Sequence, residues 1–292
     1  MEDLKYCCII ITYKPNIESL IKNIDFLSNA ITVYIIDSSP SKEFENIIFL
    51  NTMYNNDKIK LFHIANLGAA YSINTGIRKA IEDGFNLFSI FDDDVFFLSS
   101  KFDSVSIVNY FKYHCNPDTD MLYLTSNPSK FAKNPIRVVE SGMTFSSKLF
   151  TKIQFREEFV MDQLDFEFCD QIYKLGGLIK IFPVPVIDNL PVGRVTNQLF
   201  HSVPSWRLYT ITRNALRLSL ENGMNVKSLL LWIHEVTHWF TLCVLSGQSL
   251  FECIRNILLG IIDGIQGKLG ITPNLLKVSN NRFDNINLKV MK

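Results

Sequence analysis

Short hydrophobic runs alternate with helical patterns along the first third of the chain. Buried strands are predicted at residues 6–12, 32–39, 58–64 and 86–91. Apolar residues at helical spacing predict helices at residues 16–29 and 68–84. Strands and helices that alternate in this way favour an α/β fold, with a mostly parallel, Rossmann-like central sheet flanked by helices.

Polar residues stand at or just after the ends of these predicted strands. They are Thr12, Asp37, Asn66 and the acidic triplet Asp92, Asp93 and Asp94. Because ligands of parallel sheets bind beyond the carboxyl ends of the strands, we expect these residues to share one edge of the sheet.

The middle of the chain has a weaker pattern. Residues 126–135 predict a loop and residues 140–150 a strand. Residues 161–177 predict a helix, on which Asp162 and Asp165 would share a face at i, i+3 spacing.

After about residue 205 the sequence predicts helices only, at residues 205–221, 226–246 and 249–267. We therefore expect a mixed α/β domain over residues 1–220 and a helical extension over residues 221–292. The extension is rich in Trp and Leu and poor in charge, which favours contact with a membrane surface. Packing into a homo-oligomer is the alternative.

Composition narrows the class of protein. Of the 292 residues, 47% are hydrophobic and 20% charged, which allows a large core. Basic and acidic residues number 29 each, and this balance gives no support for a nucleic-acid partner. The six cysteines show no CxxC pair, so we expect buried, reduced thiols.

No stretch reaches the roughly 18 uninterrupted apolar residues of a spanning helix, and the acidic N-terminus does not resemble a signal peptide. A cytoplasmic protein is expected.

The acidic triplet Asp92–Asp94 lies inside a hydrophobic run. Adjacent carboxylates repel one another, and burying one without a partner is costly. Either a cation sits there or the acids project into solvent. Mg²⁺ or Mn²⁺ prefers carboxylates together with substrate phosphate oxygens. A solvated acidic turn is the alternative, and the apolar residues on both sides favour a site.

Five segments, in order and at the right distances, resemble family-2 inverting glycosyltransferases of the GT-A fold. They are IIITYKPN, YIIDSS, NLGAAYSINTGIRKAIEDGFNLFSIFDDDV, MDQLDFEFCDQIYKLGG and HSVPSWRLYTITRN. The resemblance covers roughly residues 5–220. It is strongest to the bacterial rhamnosyltransferase-like branch that builds O-antigen and other surface polysaccharides.

The resemblance implies a site for a nucleotide sugar. Thr12 and Asp37 match positions that hold the base and ribose, although an Asx turn also explains Asp37. The segment with Asn66, Gly68 and Asn74 matches the stretch beneath the nucleotide, and an ordinary loop-to-helix cap is its alternative.

The acidic triplet matches the family's DxD motif. Asp92 and Asp94 would approach the ribose and hold the metal on the diphosphate, and Asp93 would be a secondary contact in the donor site. Relatives often carry a His as a further metal ligand after the 161–177 helix. Here Asp188 or His201 could take that place, or no protein ligand is needed.

The resemblance also implies a catalytic base. Asp165 matches the carboxylate that deprotonates the acceptor hydroxyl, with Asp162 one turn earlier. Acids that favour a helix N-terminus are the alternative and explain Asp162 better than Asp165. Arg207 and Arg213 are suited to bind phosphate, with helix-surface ion pairs as the alternative.

A second motif, His234-Glu235-Val-Thr-His238, fits the HExxH pattern of zinc hydrolases. The pattern is short, and no third ligand follows it. Trp residues around it suit an interfacial helix instead.

Together these features predict a metal-dependent inverting glycosyltransferase. It would move rhamnose or a hexose from a dTDP- or UDP-sugar to a polyprenyl-diphosphate-linked saccharide, as a peripheral protein at the inner face of the cell membrane. A zinc hydrolase and a non-catalytic nucleotide-sugar-binding protein are the alternatives.

Overall fold

The computed structural model describes residues 3–40, 57–98, 102–131, 137–188, 204–280 and 282–283. The chain divides into two units. The first takes its described residues from Met1–Ala65, Tyr71–Phe155 and Asp165–Leu190. The second takes them from Asn66–Ala70, Arg156–Leu164 and Pro191–Lys292.

A seven-stranded sheet forms the centre of the first unit. The strands of the unit are β1 Tyr6–Thr12, β2 Thr32–Asp37, β3 Ile59–His63, β4 Leu87–Asp92, β5 Phe96–Phe97, β6 Met121–Tyr123, β7 Met143–Ser146, β8 Ile179–Ile181 and β9 Ile187–Asp188. The spatial order is β3-β2-β1-β4-β7-β6-β8, while β5 and β9 pair separately. Among the described strands of the large sheet, β7 is the one that pairs antiparallel with its neighbours. The predicted α/β fold with a mostly parallel sheet is confirmed.

The register places three predicted residues at one edge of this sheet. Thr12 on β1 lies opposite Asp37 on β2, and Ile11 on β1 lies opposite Asp92 on β4. The shared edge predicted from the sequence is therefore confirmed for Thr12, Asp37 and Asp92. β1 is almost wholly buried, as expected of a central parallel strand.

Helices cover the sheet. They are α1 Ile17–Ser28, α2 Ala69–Glu82, α3 Ser104–His114, α4 Ser147–Lys152 and α5 Leu164–Lys174. A Cβ added to Gly76 of α2 would lie 2.6 Å from the side chain of Ile9, so glycine allows α2 to approach the sheet closely. Asn74, on the same helix, donates its side-chain amide to the carbonyl oxygen of Phe155 at 2.8 Å. Gly76 thus allows close helix–sheet packing, and Asn74 makes a hydrogen bond within the unit. All six cysteines are buried, as predicted.

The described part of the second unit is mostly helical. Its helices are α6 Trp206–Glu221, α7 Val226–Leu245, α8 Leu250–Gln266 and α9 Pro273–Val278. The first three agree with the predicted bounds to within a residue or so. Within the described residues one helix, α7, is long and apolar enough to cross a membrane by length and composition alone.

Candidate active site

Five carboxylates interact around the end of β4 in the first unit. They are Asp92, Asp93, Asp94, Glu140 and Asp165. Burial raises the pKa of Asp92 well above its ordinary value, and the charges of Glu140, Asp94, Asp93 and Asp165 raise it further. Asp92 and the predicted base Asp165 are thus close enough for their charges to interact.

The triplet also interacts with the end of β2. Burial raises the pKa of Asp93 to about 7, and the charges of Asp94 and Asp37 contribute to that rise. Burial likewise raises the pKa of Asp94. Acids therefore follow the carboxyl edge of the sheet, and the raised pKa values of Asp92, Asp93 and Asp94 favour their protonation or the presence of a cation.

Glu140 joins this cluster because β7 inserts beside β4. The backbone N–H of Gly142 donates to the carbonyl oxygen of Ile90 at 2.8 Å. One residue earlier, the hydroxyl of Ser141 accepts a bond of 3.2 Å from the backbone N–H of Asp92. The segment before β7 is thereby fixed against the end of β4. No sequence motif marked Glu140, because its position depends on pairing between distant strands.

Asp165 reaches the cluster through the packing of α5. One turn after Asp165, the Cys169 thiol lies 3.8 Å from the carbonyl oxygen of Val138. Arg137 Nη2 donates to both oxygens of the Asp170 carboxylate, at 2.8 and 2.9 Å, and Nε donates to one of them at 3.2 Å. These contacts attach α5 to the segment that leads into Glu140. Asp165 itself is 8% exposed.

Asp37 is the centre of a hydrogen-bonded group on β1, β2 and β3. Its buried carboxylate accepts from the hydroxyls of Thr12 at 2.7 Å and Ser39 at 2.6 Å. His63 Nδ1 lies 3.0 Å from the other carboxylate oxygen. The backbone N–H of Ser39 donates to the same carboxylate at 3.2 Å. A carboxylate offers about four acceptor positions, and these contacts occupy them. Asp37 therefore orients Thr12, Ser39 and His63 at this edge. The sequence did not indicate that His63 belongs to the group.

Asp162 differs from its predicted position. The helix begins at Leu164, and Asp162 and Gln163 have left-handed backbone angles, with φ of +61° and +65°. The prediction that Asp162 and Asp165 share a helix face is wrong. Within the second unit, the 4%-exposed Asp162 side chain accepts hydrogen bonds from Arg207 and Thr210. Asp162 is thus held by an ion pair and a hydroxyl.

Asn214, in the second unit, binds the left-handed segment at three backbone carbonyl groups. Asn214 donates its amide to the carbonyl oxygens of Phe159 at 2.8 Å, Met161 at 2.7 Å and Asp162 at 3.0 Å. Val160 within the segment also has positive φ, +64°, which is rare for a β-branched residue. Asn214 compensates for this strain by satisfying three carbonyl groups.

Two further residues predicted to bind the nucleotide have structural contacts in the second unit. Asn66 donates its amide to the carbonyl oxygen of Arg282 at 3.0 Å. Gly68 has φ of +104°, and an added Cβ would lie 2.2 Å from the carbonyl oxygen of Val160. Only glycine fits at this position.

Arg213, predicted as a phosphate-binding residue, is fully buried. Its guanidinium donates to the carbonyl oxygens of Gly270 at 2.8 Å and Phe159 at 3.3 Å. Its contacts are internal to the second unit. Arg207 is partly exposed and, besides its bond to Asp162, lies 5.1 Å over the Trp239 ring.

The residues present fit a divalent cation at the acidic triplet. Asp92 and Asp94 supply the hard oxygen ligands that Mg²⁺ and Mn²⁺ prefer. Burial raises the pKa of both, and neighbouring carboxylates raise that of Asp92 further, so a cation would stabilise their charged forms. In the described part of the chain no group of three or more His, Cys, Asp or Glu side chains is arranged to hold a metal. A site here would need oxygen atoms from the substrate.

The two candidates for a further metal ligand are only partly described. The backbone of Asp188 pairs antiparallel with Phe96, two residues after Asp94, which brings β9 beside the acidic triplet. The side chain of Asp188 and the whole of His201 lie outside the described residues.

The HExxH motif on α7 does not have the arrangement of a zinc site. Glu235 accepts hydrogen bonds from Trp239 Nε1 at 3.0 Å and Gln163 Nε2 at 3.3 Å. The rings of His234 and His238 are 6.4 Å apart, on the exposed side of the helix. The Glu235 carboxylate is therefore bonded to Trp239 and Gln163, whereas the two imidazole rings lie on the exposed side of the helix.

Comparison with known proteins identifies the fold. No protein-family model and no curated protein matches the chain. S. aureus TarS is similar over 94% of this chain and 50% of its own, with a TM-score of 0.52 and 13% identity. The TarS fragment 1-349 in complex with UDP-GlcNAc is similar over 90% of this chain and 92% of its own, with a TM-score of 0.50 and 11% identity. GalNAc-T7 with UDP, GalNAc and Mn²⁺ is similar over 63% of this chain and 43% of its own, with a TM-score of 0.50 and 10% identity.

The chain thus spans about half the length of the S. aureus TarS structure. At these identities the likeness concerns the fold, and it confirms the GT-A fold expected from the sequence.

Proposed function

We propose that this protein is an inverting, metal-dependent glycosyltransferase that uses a nucleotide-sugar donor. The observation that carries the proposal is the group of Asp92, Asp93, Asp94, Glu140 and Asp165 at the ligand-binding edge of a GT-A sheet. The solved complexes of TarS with UDP-GlcNAc and of GalNAc-T7 with UDP and Mn²⁺ support a donor of this class.

Asp165 is the proposed base. Its carboxylate accepts the proton of the acceptor hydroxyl while the hydroxyl oxygen attacks the anomeric carbon of the donor sugar. The bond from that carbon to the diphosphate breaks on the opposite face, so the configuration inverts. Asp162 is held by Arg207 and Thr210, in the turn from which the chain enters α5, and we propose that it stabilises this turn.

Asp92 and Asp94 are the proposed metal ligands. A bound Mg²⁺ or Mn²⁺ would offset the negative charge that builds up on the departing diphosphate. Asp93 and the group around Asp37, including Thr12, would contact the nucleoside. A dTDP- or UDP-sugar is the proposed donor, with rhamnose or a hexose as the sugar.

The acceptor we propose is a polyprenyl-diphosphate-linked saccharide of bacterial surface polysaccharide synthesis, of the O-antigen type. This acceptor class comes from the order of the five sequence segments described above. It implies a protein that works at the cytoplasmic face of the membrane, since such acceptors are embedded there.

A donor screen followed by a transfer assay tests the proposal. Thermal unfolding is measured with Mn²⁺ and a panel of UDP- and dTDP-sugars, and the stabilising donor is then supplied with a synthetic lipid diphosphate acceptor. Asp165→Asn should lose at least a thousandfold in transfer while keeping the donor-induced shift. Asp118→Asn, on the surface beside Lys152, is the control and should transfer normally.

Donor binding without transfer on any acceptor would favour a non-catalytic binding protein. Transfer by Asp165→Asn at the wild-type rate would remove Asp165 as the base.

A further inference from the structure

One helix of the second unit, α8, has an inverted distribution of polarity. On α8 the buried residues are small or polar, and include Asn256, Gly260, Asp263 and Gly264. α6, which packs against α8, buries the polar residues Thr210, Arg213 and Asn214 together with apolar ones such as Leu208, Ile211 and Leu216. A helix of a water-soluble domain normally buries its apolar stripe and exposes its polar side.

Close packing explains how polar residues fill this interior. A Cβ added to Gly260 would lie 2.7 Å from the carbonyl oxygen of Tyr209, so α8 approaches α6 at backbone distance. The Tyr209 hydroxyl donates to Asp263 at 2.6 Å, and Asn274 donates to the same carboxylate at 3.0 Å. The acid is thus satisfied inside the unit. Leu259 and Ile257 pack partly against the interior, and other large apolar residues of α8 do not.

Those apolar residues lie on the outside. Phe251 is 76% exposed, Ile265 63%, Leu258 54% and Ile262 47% on α8. On α7, which packs against α8, Leu230 is 60% exposed and Leu231 54%. We call these six residues the outer apolar face. The four residues on α8 recur at spacings of 7, 4 and 3 positions and therefore share one side of that helix, unlike the scattered apolar residues of an ordinary surface.

Charge around the face favours a lipid surface as its occupant. Lys227 at the start of α7, Lys268 just after α8 and Lys277 on α9 are exposed. Exposed lysines near the ends of apolar helices attract anionic lipid headgroups. Glu252 is the exposed acid of α8, and Glu235 of α7 is bonded to Trp239.

The polar residues of the two helices favour an orientation along a membrane surface over one across it. α7 is long enough to span, but its middle carries His234, Glu235 and His238. α8 carries Glu252 and Arg255 close to its start, and its inner side is polar. Such helices sink one side into the boundary between headgroups and acyl chains and keep the other side away from lipid.

We infer that the outer apolar face of α7 and α8 binds an anionic membrane as an interfacial helix pair. The inference depends on the second unit alone and does not rest on the proposed glycosyl transfer. It assigns the membrane contact to specific residues, which the sequence pattern could not do.

Vesicle co-sedimentation of the full chain tests the inference. The probe is large unilamellar vesicles of phosphatidylcholine with a quarter phosphatidylglycerol. The wild type should sediment with these vesicles and much less with vesicles of phosphatidylcholine alone. The double variant Leu258→Asp with Ile262→Asp should lose at least tenfold in partition coefficient. Val105→Asp, which replaces a 64%-exposed apolar residue of the first unit, is the matched control and should bind as the wild type does.

Thermal unfolding of each variant separates loss of binding from loss of folding, since all three positions are exposed. Two results would overturn the inference: a folded wild type that does not bind the vesicles, or equal losses in the face variant and the control. A stable wild-type dimer by light scattering that the face variant dissociates would assign the face to a second copy of the chain instead. None of these readouts requires donor or transfer.

Discussion

Replacing Asp93 by asparagine should stabilise the metal-free protein at alkaline pH. Burial is the main reason that the pKa of Asp93 rises to about 7, from an ordinary value of 3.8. A carboxyl group with a raised pKa costs no folding free energy below its unfolded pKa. Its cost grows as the pH rises from about 4 to about 7 and is complete above that.

The magnitude follows from the size of this change. Each pKa unit corresponds to about 1.4 kcal/mol, so a rise of about three units sets an upper bound of about 4 kcal/mol. Because Asp93 is partly exposed and water screens its charge, we expect Asp93→Asn to gain about 2 kcal/mol at pH 8. At pH 5 the gain should be under about 1 kcal/mol, because Asp93 is then mostly protonated in the folded state.

Urea unfolding followed by circular dichroism, with EDTA present, measures these gains. Asp118→Asn is the control: a hydrogen bond from Lys152 lowers the pKa of Asp118, so its replacement should give no gain at pH 8. An Asp93→Asn variant that is neutral or less stable at pH 8 would refute the reasoning. So would an equal gain at both pH values.

Two further predictions concern the second unit. Asn214→Ala removes three hydrogen bonds to backbone carbonyl oxygens and should lower the free energy of unfolding by about 3 kcal/mol in urea titrations. A loss below about 1 kcal/mol would mean that the left-handed segment does not depend on this amide. His234→Ala should leave glycosyl transfer within a few fold of wild type, because the His234 ring is exposed and Glu235 is bonded to Trp239. A large loss of activity accompanied by zinc release would instead favour the hydrolase.

The sequence predicted those features that depend on local pattern. Strands such as β1 and β4 are continuous apolar runs, and each carries a polar residue at its carboxyl end, Thr12 or Asp92. Parallel strands place these ends at the same edge of a sheet. The shared position of these polar residues could therefore be predicted from the sequence pattern. The helices after residue 205 were predicted because their apolar residues recur at helical spacing.

Features that depend on long-range contacts were missed or misplaced. Asp162 has a helical sequence context, but Asn214, 52 residues later, holds its backbone in a left-handed conformation. Glu140 carries no motif and joins the acids only because the antiparallel strand β7 pairs with β4. Arg213 has the charge expected of a phosphate ligand, yet its guanidinium donates hydrogen bonds to backbone carbonyl oxygens of its own unit.

Calorimetric titration with a nucleotide sugar and Mn²⁺ tests the central claim most directly. The claim is that the acids after β4 hold a metal–nucleotide complex while Asp165 is kept for proton transfer. The account predicts that wild type and Asp165→Asn bind the donor with dissociation constants within about threefold, whereas Asp92→Asn with Asp94→Asn shows no Mn²⁺-dependent binding. Undiminished Mn²⁺-dependent binding by the double variant, or no binding of any nucleotide sugar by the wild type, would contradict it.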